Sequence, residues 1–333
     1  MKIGNIAILG AGAWGTALAC LWSKNGREIV LWGHNPDRVA DIQKARENVH
    51  YLPGLRLPDS VHVTSELEDC ARVDLAVFVT PSTALRDIAT ALRELTESAL
   101  PLLLTCTKGI EHVSAMRMSE ILHEIFPENK VAVLSGPNLA AEVAQNLPTA
   151  TVVASDQIDC AVSLQAILGN SRFRVYTSED VVSVELGGAL KNVFALAAGI
   201  SDGLGLGDNS KAALITRSLA ELVRLGVAMG GKADSFYGLS GVGDLIVTCY
   251  SEHSRNHTVG ERLGRGETLD HIITSTKTVA EGIPTTRSAW ELAQRLNVHT
   301  PIIEQVYAVL YEGKRPMMAV EELLRREQKP EQV

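Results

Sequence analysis

Residues 6–19 read Ile6-Ala7-Ile8-Leu9, then Gly10-Ala11-Gly12-Ala13-Trp14-Gly15, then Thr16-Ala17-Leu18-Ala19. An apolar run of strand length meets a GxGxxG turn and passes straight into a small-residue helix. Such a junction points the first amides of the helix at an anion, and a dinucleotide pyrophosphate is its usual guest. The glycines have separate jobs. Gly10 permits the tight turn, Gly12 lets the backbone approach phosphates, and Gly15 lets the helix pack close to the strand. The same letters also serve a strand-to-helix turn with no ligand, so the flanking strand and helix are what give the motif weight. A secretory leader is a second reading of Lys2, the apolar stretch and Ala17-Leu18-Ala19. Asn5 and the glycines interrupt the apolar core that a leader needs. With a dinucleotide here, substrate groups are expected beyond the carboxyl ends of the following strands or in a second domain.

At 333 residues the chain is long for one core, so two domains are expected. Hydrophobic residues make up 46% and charged ones 21%, the balance of a globular enzyme rather than a disordered chain. The net charge of −8 gives no overall basic field for nucleic acid or an anionic membrane, so an anionic substrate must be held by local Lys and Arg. The longest apolar candidate for a membrane span, Val193–Ile200, falls well short of the roughly 18 residues required. Cys20, Cys70, Cys106, Cys160 and Cys249 are odd in number, scattered and without a CxxC. That argues against a disulfide framework or a zinc site and fits a reducing cytoplasm.

Working outward, strand-like segments at Ile3–Leu9, Ile29–Trp32, Leu75–Val79, Leu102–Thr105, Val131–Leu134 and Thr151–Ala154 alternate with helical patterns such as Ser82–Leu95 and Met116–Ile125. This alternation predicts an α/β fold: an N-terminal Rossmann-type, mostly parallel sheet with right-handed crossovers. From Glu179 onward strand signals nearly vanish, and apolar residues recur at helical spacing through Val181–Ile200, Lys211–Met229 and Thr286–Leu296. Ser178-Glu179-Asp180 offers a cap and an acidic first turn, and Gly230-Gly231 a stop. A dinucleotide-binding domain over 1–180 and an all-helical substrate-binding domain over 181–333 are therefore expected. No long repeat is present, and the charged tail Glu321–Val333 is expected to fray.

Chemistry is placed as follows. An NAD-specific site usually carries Asp or Glu about 20 residues after the glycines, on the ribose 2′-hydroxyl. Here Leu31-Trp32-Gly33-His34-Asn35-Pro36 holds no carboxylate and Arg38 follows, so a 2′-phosphate would not be repelled. NADP is predicted to be accepted, with NAD as an option. Asn35-Pro36 also suits a plain helix start. Lys108, in Thr105-Cys106-Thr107-Lys108-Gly109, follows a buried-type strand at the sheet edge where ligands bind, although a surface loop lysine is equally compatible. Ser135-Gly136-Pro137-Asn138 ends another strand; Gly136 would let a ligand lie against the backbone, and Asn138 is placed to cap the next helix.

The second half carries the sharper signal. Glu185 to Gly199 is a nearly apolar helix with Lys191 inside it. A buried lysine is rare unless paired or functional, and desolvation suits it to proton transfer. Snorkelling from a helix edge is the ordinary alternative. In Gly241-Val242-Gly243-Asp244-Leu245-Ile246-Val247-Thr248, Asp244 and Thr248 share a helix face and are placed to orient an ammonium jointly, unless Asp244 is only a cap. Ser254-Arg255-Asn256 before Val259-Gly260-Glu261-Arg262 makes a helix N-terminus suited to a phosphate, or a plain N-cap.

Gly-Ala-Gly-Ala-Trp-Gly-Thr-Ala, Thr-Lys-Gly at 107–109, Ser-Gly-Pro-Asn at 135–138, Leu-Lys-Asn-Val at 190–193, Gly-Val-Gly-Asp-Leu at 241–245 and Ser-Arg-Asn at 254–256 occur in one order. From Ile6 to about Pro316 the chain resembles the bacterial-type NAD(P)-dependent glycerol-3-phosphate dehydrogenases. The second-half motifs are specific to them, whereas the first is shared by many dehydrogenases. The resemblance implies interconversion of sn-glycerol 3-phosphate and dihydroxyacetone phosphate, for phospholipid synthesis, with NADP(H) or NAD(H) and no metal. It implies Lys191 as proton acceptor and Lys108 as a substrate lysine near the nicotinamide. Asp244 and Thr248 match the family's carboxylate and hydroxyl, and Ser254, Arg255 and Asn256 its phosphate contacts. Gly136 and Asn138 fall in its substrate loop, although many bacterial members have Ser or Thr where Asn138 stands. The cofactor positions carry over to Ala13, Trp14, His34, Tyr51, Ala140, Arg255, Val279 and Glu281.

The residues read without the resemblance agree with it: phosphate on Arg255 and Asn256, proton transfer at Lys191, hydride through the nicotinamide. A two-domain dehydrogenase of a small hydroxy acid would share the first domain but needs no Arg255-Asn256 phosphate site. A non-catalytic dinucleotide sensor would keep the glycines but needs no lysine in an apolar helix. Apolar helical faces leave a homodimer open.

Overall fold

The computed structural model describes residues 3–96, 102–276, 280–328 and 330–331. The chain divides into two compact units, Met1–Thr107 with Met118–Val181, and Lys108–Arg117 with Val182–Val333.

The first unit is an eight-stranded sheet covered by helices. Its strands are β1 (Asn5–Leu9), β2 (Glu28–Trp32), β3 (Val61–Thr64), β4 (Leu75–Phe78), β5 (Leu102–Thr105), β6 (Lys130–Ser135), β7 (Thr149–Ala154) and β8 (Phe173–Ser178), in the spatial order β3-β2-β1-β4-β5-β6-β7-β8. Pairs from β3 to β6 are parallel; β7 runs antiparallel to β6, and β8 parallel to β7. Its helices are α1 (Ala13–Ser23), α2 (Pro36–Ala45), α3 (Leu85–Leu95), α4 (Met118–Ile125), α5 (Ala140–Ala144) and α6 (Ile158–Leu168). The order reverses between β1 and β4. A crevice opens at such a switch point beyond the strand ends, where doubly wound sheets bind ligands. Leu9 pairs with Trp32 and Phe78, so the glycine turn begins at that edge.

The apolar runs predict six of these strands. β4 and β5 are buried along their whole length, as parallel strands covered on both faces must be. The strands not foreseen are β3, the edge strand, and β8 at the other edge. Val61-His62-Val63-Thr64 has four residues, and Phe173–Ser178 alternates buried and exposed, so neither shows a continuous apolar run.

The second unit is helical: α7 (Val181–Gly203), α8 (Asp208–Ala228), α9 (Asp244–Tyr250), α10 (Arg255–Gly264), α11 (Leu269–Ser275), α12 (Gly282–Arg295), α13 (Pro301–Tyr311) and α14 (Pro316–Leu324). α7 runs through its core, with Leu186, Leu190, Val193, Phe194 and Leu196 almost fully buried. A helix apolar on all sides must be buried. Contrary to the short run read from the sequence, α7 is long and apolar enough to cross a membrane by length and composition; 94% of its most apolar window is buried inside the protein. Residues 321–324 of the charged tail continue α14 rather than fraying.

One segment departs from the expected boundary. Lys108–Arg117 belongs to the helical unit although it lies between strands of the sheet in sequence. Ile110 is buried in the helical core, and its carbonyl accepts Ser288 Oγ on α12 at 3.0 Å. Ile110 and Arg117 form an antiparallel bridge, which is why α4 starts at Met118 and not at Met116.

Candidate active site

In the sheet unit, Gly10 takes φ +130°, and a Cβ there would lie 2.5 Å from the Val79 carbonyl oxygen on the neighbouring strand connection. A Cβ on Gly15 would lie 1.9 Å from the Gly10 carbonyl, so both positions exclude side chains for reasons inside the protein. Gly12 differs: a Cβ there meets nothing within 4 Å, so its bareness serves the space in front of α1. α1 has no side-chain cap and no acidic residue in its first turn. The amides at Ala13 and Trp14 are therefore available to an anion, and this cradle fits a dinucleotide pyrophosphate. Asn48 holds the turn, a role with no local sequence signature: buried, it donates through Nδ2 to Ala11 O at 3.0 Å and Thr16 Oγ1 at 2.8 Å.

Beyond β2, Asn35 caps α2 by accepting from Arg38 N, with Pro36 at the first helical position, while His34 is exposed. Arg38 bonds the Tyr51 hydroxyl and lies 5.2 Å over its ring, so these two residues form one unit. No carboxylate lies between Trp32 and Pro36, and Asp37 belongs to the first turn of α2. Ala140 opens α5, which packs against α1, and Ala13, Trp14 and Ala140 each border the core of the sheet unit.

At the 135–138 turn the structure gives Gly136 a packing role and corrects the reading of Asn138 as a cap. Gly136, at φ +148°, is required by the backbone of β7: a Cβ would lie 3.1 Å from Thr151 Cα. Asn138 does not cap α5, whose cap residue is Leu139. Its Nδ2 instead donates to Thr151 Oγ1 at 3.0 Å, tying the turn to β7.

The helical unit gathers a compact ionic centre. Asp244, fully buried at the start of α9, receives the Lys191 ammonium from α7 on Oδ1 and that of Lys108 on Oδ2 at 2.6 Å. The Thr248 hydroxyl donates to the Asp244 carbonyl at 2.6 Å and so presents a lone pair, which accepts Lys191 Nζ at 2.8 Å. The one-turn spacing of Asp244 and Thr248 thus does orient a lysine, and Asp244 is no mere cap. α9 comes this close because residues 239–243 form a π-turn whose Ser240 carbonyl would lie 2.4 Å from a Cβ at Gly187 of α7. Burial is the main cause that lowers Lys191 to a pKa of about 7. Asp244 opposes the shift, and Lys108 adds to it by like-charge repulsion. The group is thus poised between ammonium and amine near neutrality.

Ser254 caps α10 through the His257 amide, and Arg255 follows, exposed and with no ion pair among the described residues. Asn256 is less free than expected: its Nδ2 donates to Asn192 Oδ1 at 2.8 Å and its Oδ1 accepts Gly282 N at 2.8 Å, leaving one amide hydrogen for a ligand. Asn192, next to Lys191, is a residue the sequence reading passed over; its adjacency to a buried lysine was the available signal. Glu281 precedes α12 beside Gly282, and Val279 lies outside the described residues.

Comparison with known proteins accords with this geometry. Residues 5–161 match the N-terminal, and 180–321 the C-terminal, family model of NAD-dependent glycerol-3-phosphate dehydrogenase. A glycerol-3-phosphate dehydrogenase [NAD(P)+] of Syntrophotalea carbinolica is 49% identical over 98% of this chain and 99% of its own length. One from Chlorobium luteolum is 45% identical, again over 98% and 99%. The crystal structure of the Coxiella burnetii glycerol-3-phosphate dehydrogenase superposes with a TM-score of 0.94 at 38% identity, covering 97% of this chain and 99% of that one. Matched in both halves and along nearly its full length, this chain belongs to the NAD-dependent glycerol-3-phosphate dehydrogenase family.

Proposed function

We propose that this NAD(P)-dependent oxidoreductase interconverts dihydroxyacetone phosphate and sn-glycerol 3-phosphate, providing the glycerol phosphate backbone of phospholipids. The observation that carries this is the Lys191–Asp244–Lys108 centre: a lysine poised to exchange a proton near neutrality, in the same unit as an uncommitted arginine at a helix N-terminus. The sheet unit takes the dinucleotide, with Gly10, Gly12, Ala13, Trp14 and Gly15 around the pyrophosphate and His34, Arg38 and Tyr51 toward the ribose. The helical unit with Lys108–Arg117 takes the substrate.

Arg255, the α10 amides and the remaining Asn256 hydrogen hold the substrate phosphate. Neutral Lys191 removes the C2 hydroxyl proton in the oxidative direction; as the ammonium it returns that proton to the C2 oxygen in the reductive one. The nicotinamide, when bound, accepts or supplies the C2 hydride. The Lys108 side chain lies beside the same oxygen and stabilises the developing alkoxide. Asp244 and Thr248 fix the direction of the Lys191 Nζ. Lys108, Arg255, Val279 and Glu281 also bear on the cofactor, and Gly136 and Asn138 on the substrate loop. The five buried free thiols suit a reducing, cytoplasmic setting. Self-association through Met317, Met318 and Leu324, which α14 exposes, is part of the same proposal and is tested by sedimentation velocity.

The test follows NADPH and NADH oxidation with dihydroxyacetone phosphate. Turnover is expected with NADPH. Folded protein with no turnover above background on either cofactor overturns the assignment. Glyoxylate and acetoacetate serve as carboxylate controls and should not be reduced.

A further inference from the structure

The ion pair between Arg117 and Glu185 plays no part in the chemistry described above, yet it joins the two elements that carry the lysines. Lys108 stands at the start of the 108–117 segment and Arg117 at its end. The segment closes on itself through the Ile110–Arg117 bridge and the bond from Glu111 N to Met116 O at 3.0 Å. Arg117 Nη1 bonds Glu185 Oε2 on α7, with 13% of the Arg117 side chain and 4% of the Glu185 side chain exposed. Lys191 lies six residues further along that helix, about 9 Å of rise at 1.5 Å per residue. The segment is also tied to the helical unit by Lys108 on Asp244, by Ser288 Oγ on the Ile110 carbonyl, and by a partly exposed contact of His112 Nδ1 with Glu291 Oε2 at 3.4 Å.

We propose that Arg117 and Glu185 are positioning residues that register Lys108 against Lys191, so that both ammoniums meet one carboxylate. An Asp244 with two oxygens can serve two lysines only if each arrives from its own side. Lys191 is fixed by a helix. Lys108 comes from an irregular segment, whose free choice of conformation must be removed by something, and a buried guanidinium–carboxylate pair does this through fixed, directional bonds. Exposed pairs hold little, but a pair this buried is not easily released. The consequence is electrostatic as well as geometric. Lys108 is the like-charge neighbour that helps keep Lys191 near neutrality, opposed by Asp244; buried Cys249, also within electrostatic reach, has its thiol pushed up to about 12 and stays neutral. Releasing Lys108 therefore moves Lys191 toward the ammonium.

This inference rests on Lys191 being the proton-transfer group, which loss of kcat in Lys191→Met with NADPH binding retained tests separately. The informative variant is the double substitution Arg117→Met with Glu185→Leu, which removes both charges and leaves neither buried alone. Its kcat is expected to fall about 10- to 100-fold, the scale of a misplaced catalytic group. KM for dihydroxyacetone phosphate should change less than about threefold, because Arg255 is untouched. The fall in rate at high pH that marks loss of the Lys191 proton should move to higher pH, which a merely structural defect would not cause. If the double variant does not fold, Arg117→Lys, which keeps a cation opposite Glu185 but loses the guanidinium's fixed geometry, is read in its place, with a smaller fall in kcat and a shift of the limb in the same direction. A folded variant with wild-type kcat, or with reduced kcat and an unmoved pH limb, overturns the proposal.

Discussion

The turn after β1 and the centre between α7 and α9 are both built to meet negative charge, and they do so by opposite means. The turn uses backbone: uncapped amides at the head of α1, and glycines that keep side chains away. Its parts are consecutive in sequence and neutral. The helical centre uses side chains: two ammoniums on one buried carboxylate, drawn from Lys108, Lys191 and Asp244, which are 136 and 53 residues apart in their pairings. A backbone site holds a charge but exchanges no proton, so it suits a group that must only be carried. A side-chain site in low dielectric can shift its own ionisation, so it suits the group that reacts.

If this division is right, substitutions in the two regions must separate kinetically. The largest effect is expected from Lys191→Met: kcat should fall about 10³-fold, within the span of general acid–base catalysis, while NADPH titration by fluorescence stays near wild type. Gly12→Val should do the reverse. It sets a branched side chain in the open space before α1 and costs one or more charge-assisted hydrogen bonds of about 1.5–3 kcal/mol, raising KM for NADPH roughly 10- to 100-fold. Its pH profile should remain that of the wild type. Arg255→Ala should raise KM for dihydroxyacetone phosphate by about tenfold or more with a smaller change in kcat, because the phosphate does not react. Initial rates over a substrate grid check both.

The pH dependence sharpens the contrast. With Lys191 lowered to about 7, the reductive rate, which needs the ammonium, should decline as pH rises through 7; the oxidative rate, which needs the amine, should climb over the same range. A reductive rate flat from about pH 6 to about pH 9 would contradict the side-chain role.

A second buried carboxylate in the helical unit gives the smallest predicted effect and a useful control. Glu221 on α8 is as buried as Asp244, but its oxygens accept the Ile302 and Ile303 amides at the head of α13 and, among the described residues, bond no lysine. Burial raises it to about 7 against the backbone bonds. A carboxyl raised in the folded state contributes stability that is present below its unfolded value and lost as pH rises through about 7. Glu221→Gln should therefore flatten the decline of Tm between about pH 5 and about pH 8 without altering the pH profile of kcat. Two carboxylates of equal burial thus differ in purpose through their partners: one staples helices, the other holds reactive cations.

Much of this was legible in the letters because the informative features are local. Strand, turn and helix are adjacent at residues 5–23, and Gly-Val-Gly-Asp with Thr248 one turn later announces its own face. Edge strands β3 and β8 were missed because half-exposed strands lack an apolar run. Asn48, Asn192 and the Arg117–Glu185 pair were missed because each acts on something distant in sequence. Asn138 misled for the same reason: it answers to Thr151 on β7 and does not cap α5.

By itself, then, the sequence determined the alternation of strands and helices, the anion-binding turn and the anomalous lysine in an apolar helix, since periodicity, glycine placement and polarity are properties of neighbouring residues. Only the tertiary structure decided that Lys108 leaves the sheet unit to join the helical one, and that one carboxylate serves two lysines. It also decided that an arginine at the far end of the same segment holds that arrangement. These are outcomes of burial, and burial depends on which distant surfaces the fold brings against each other.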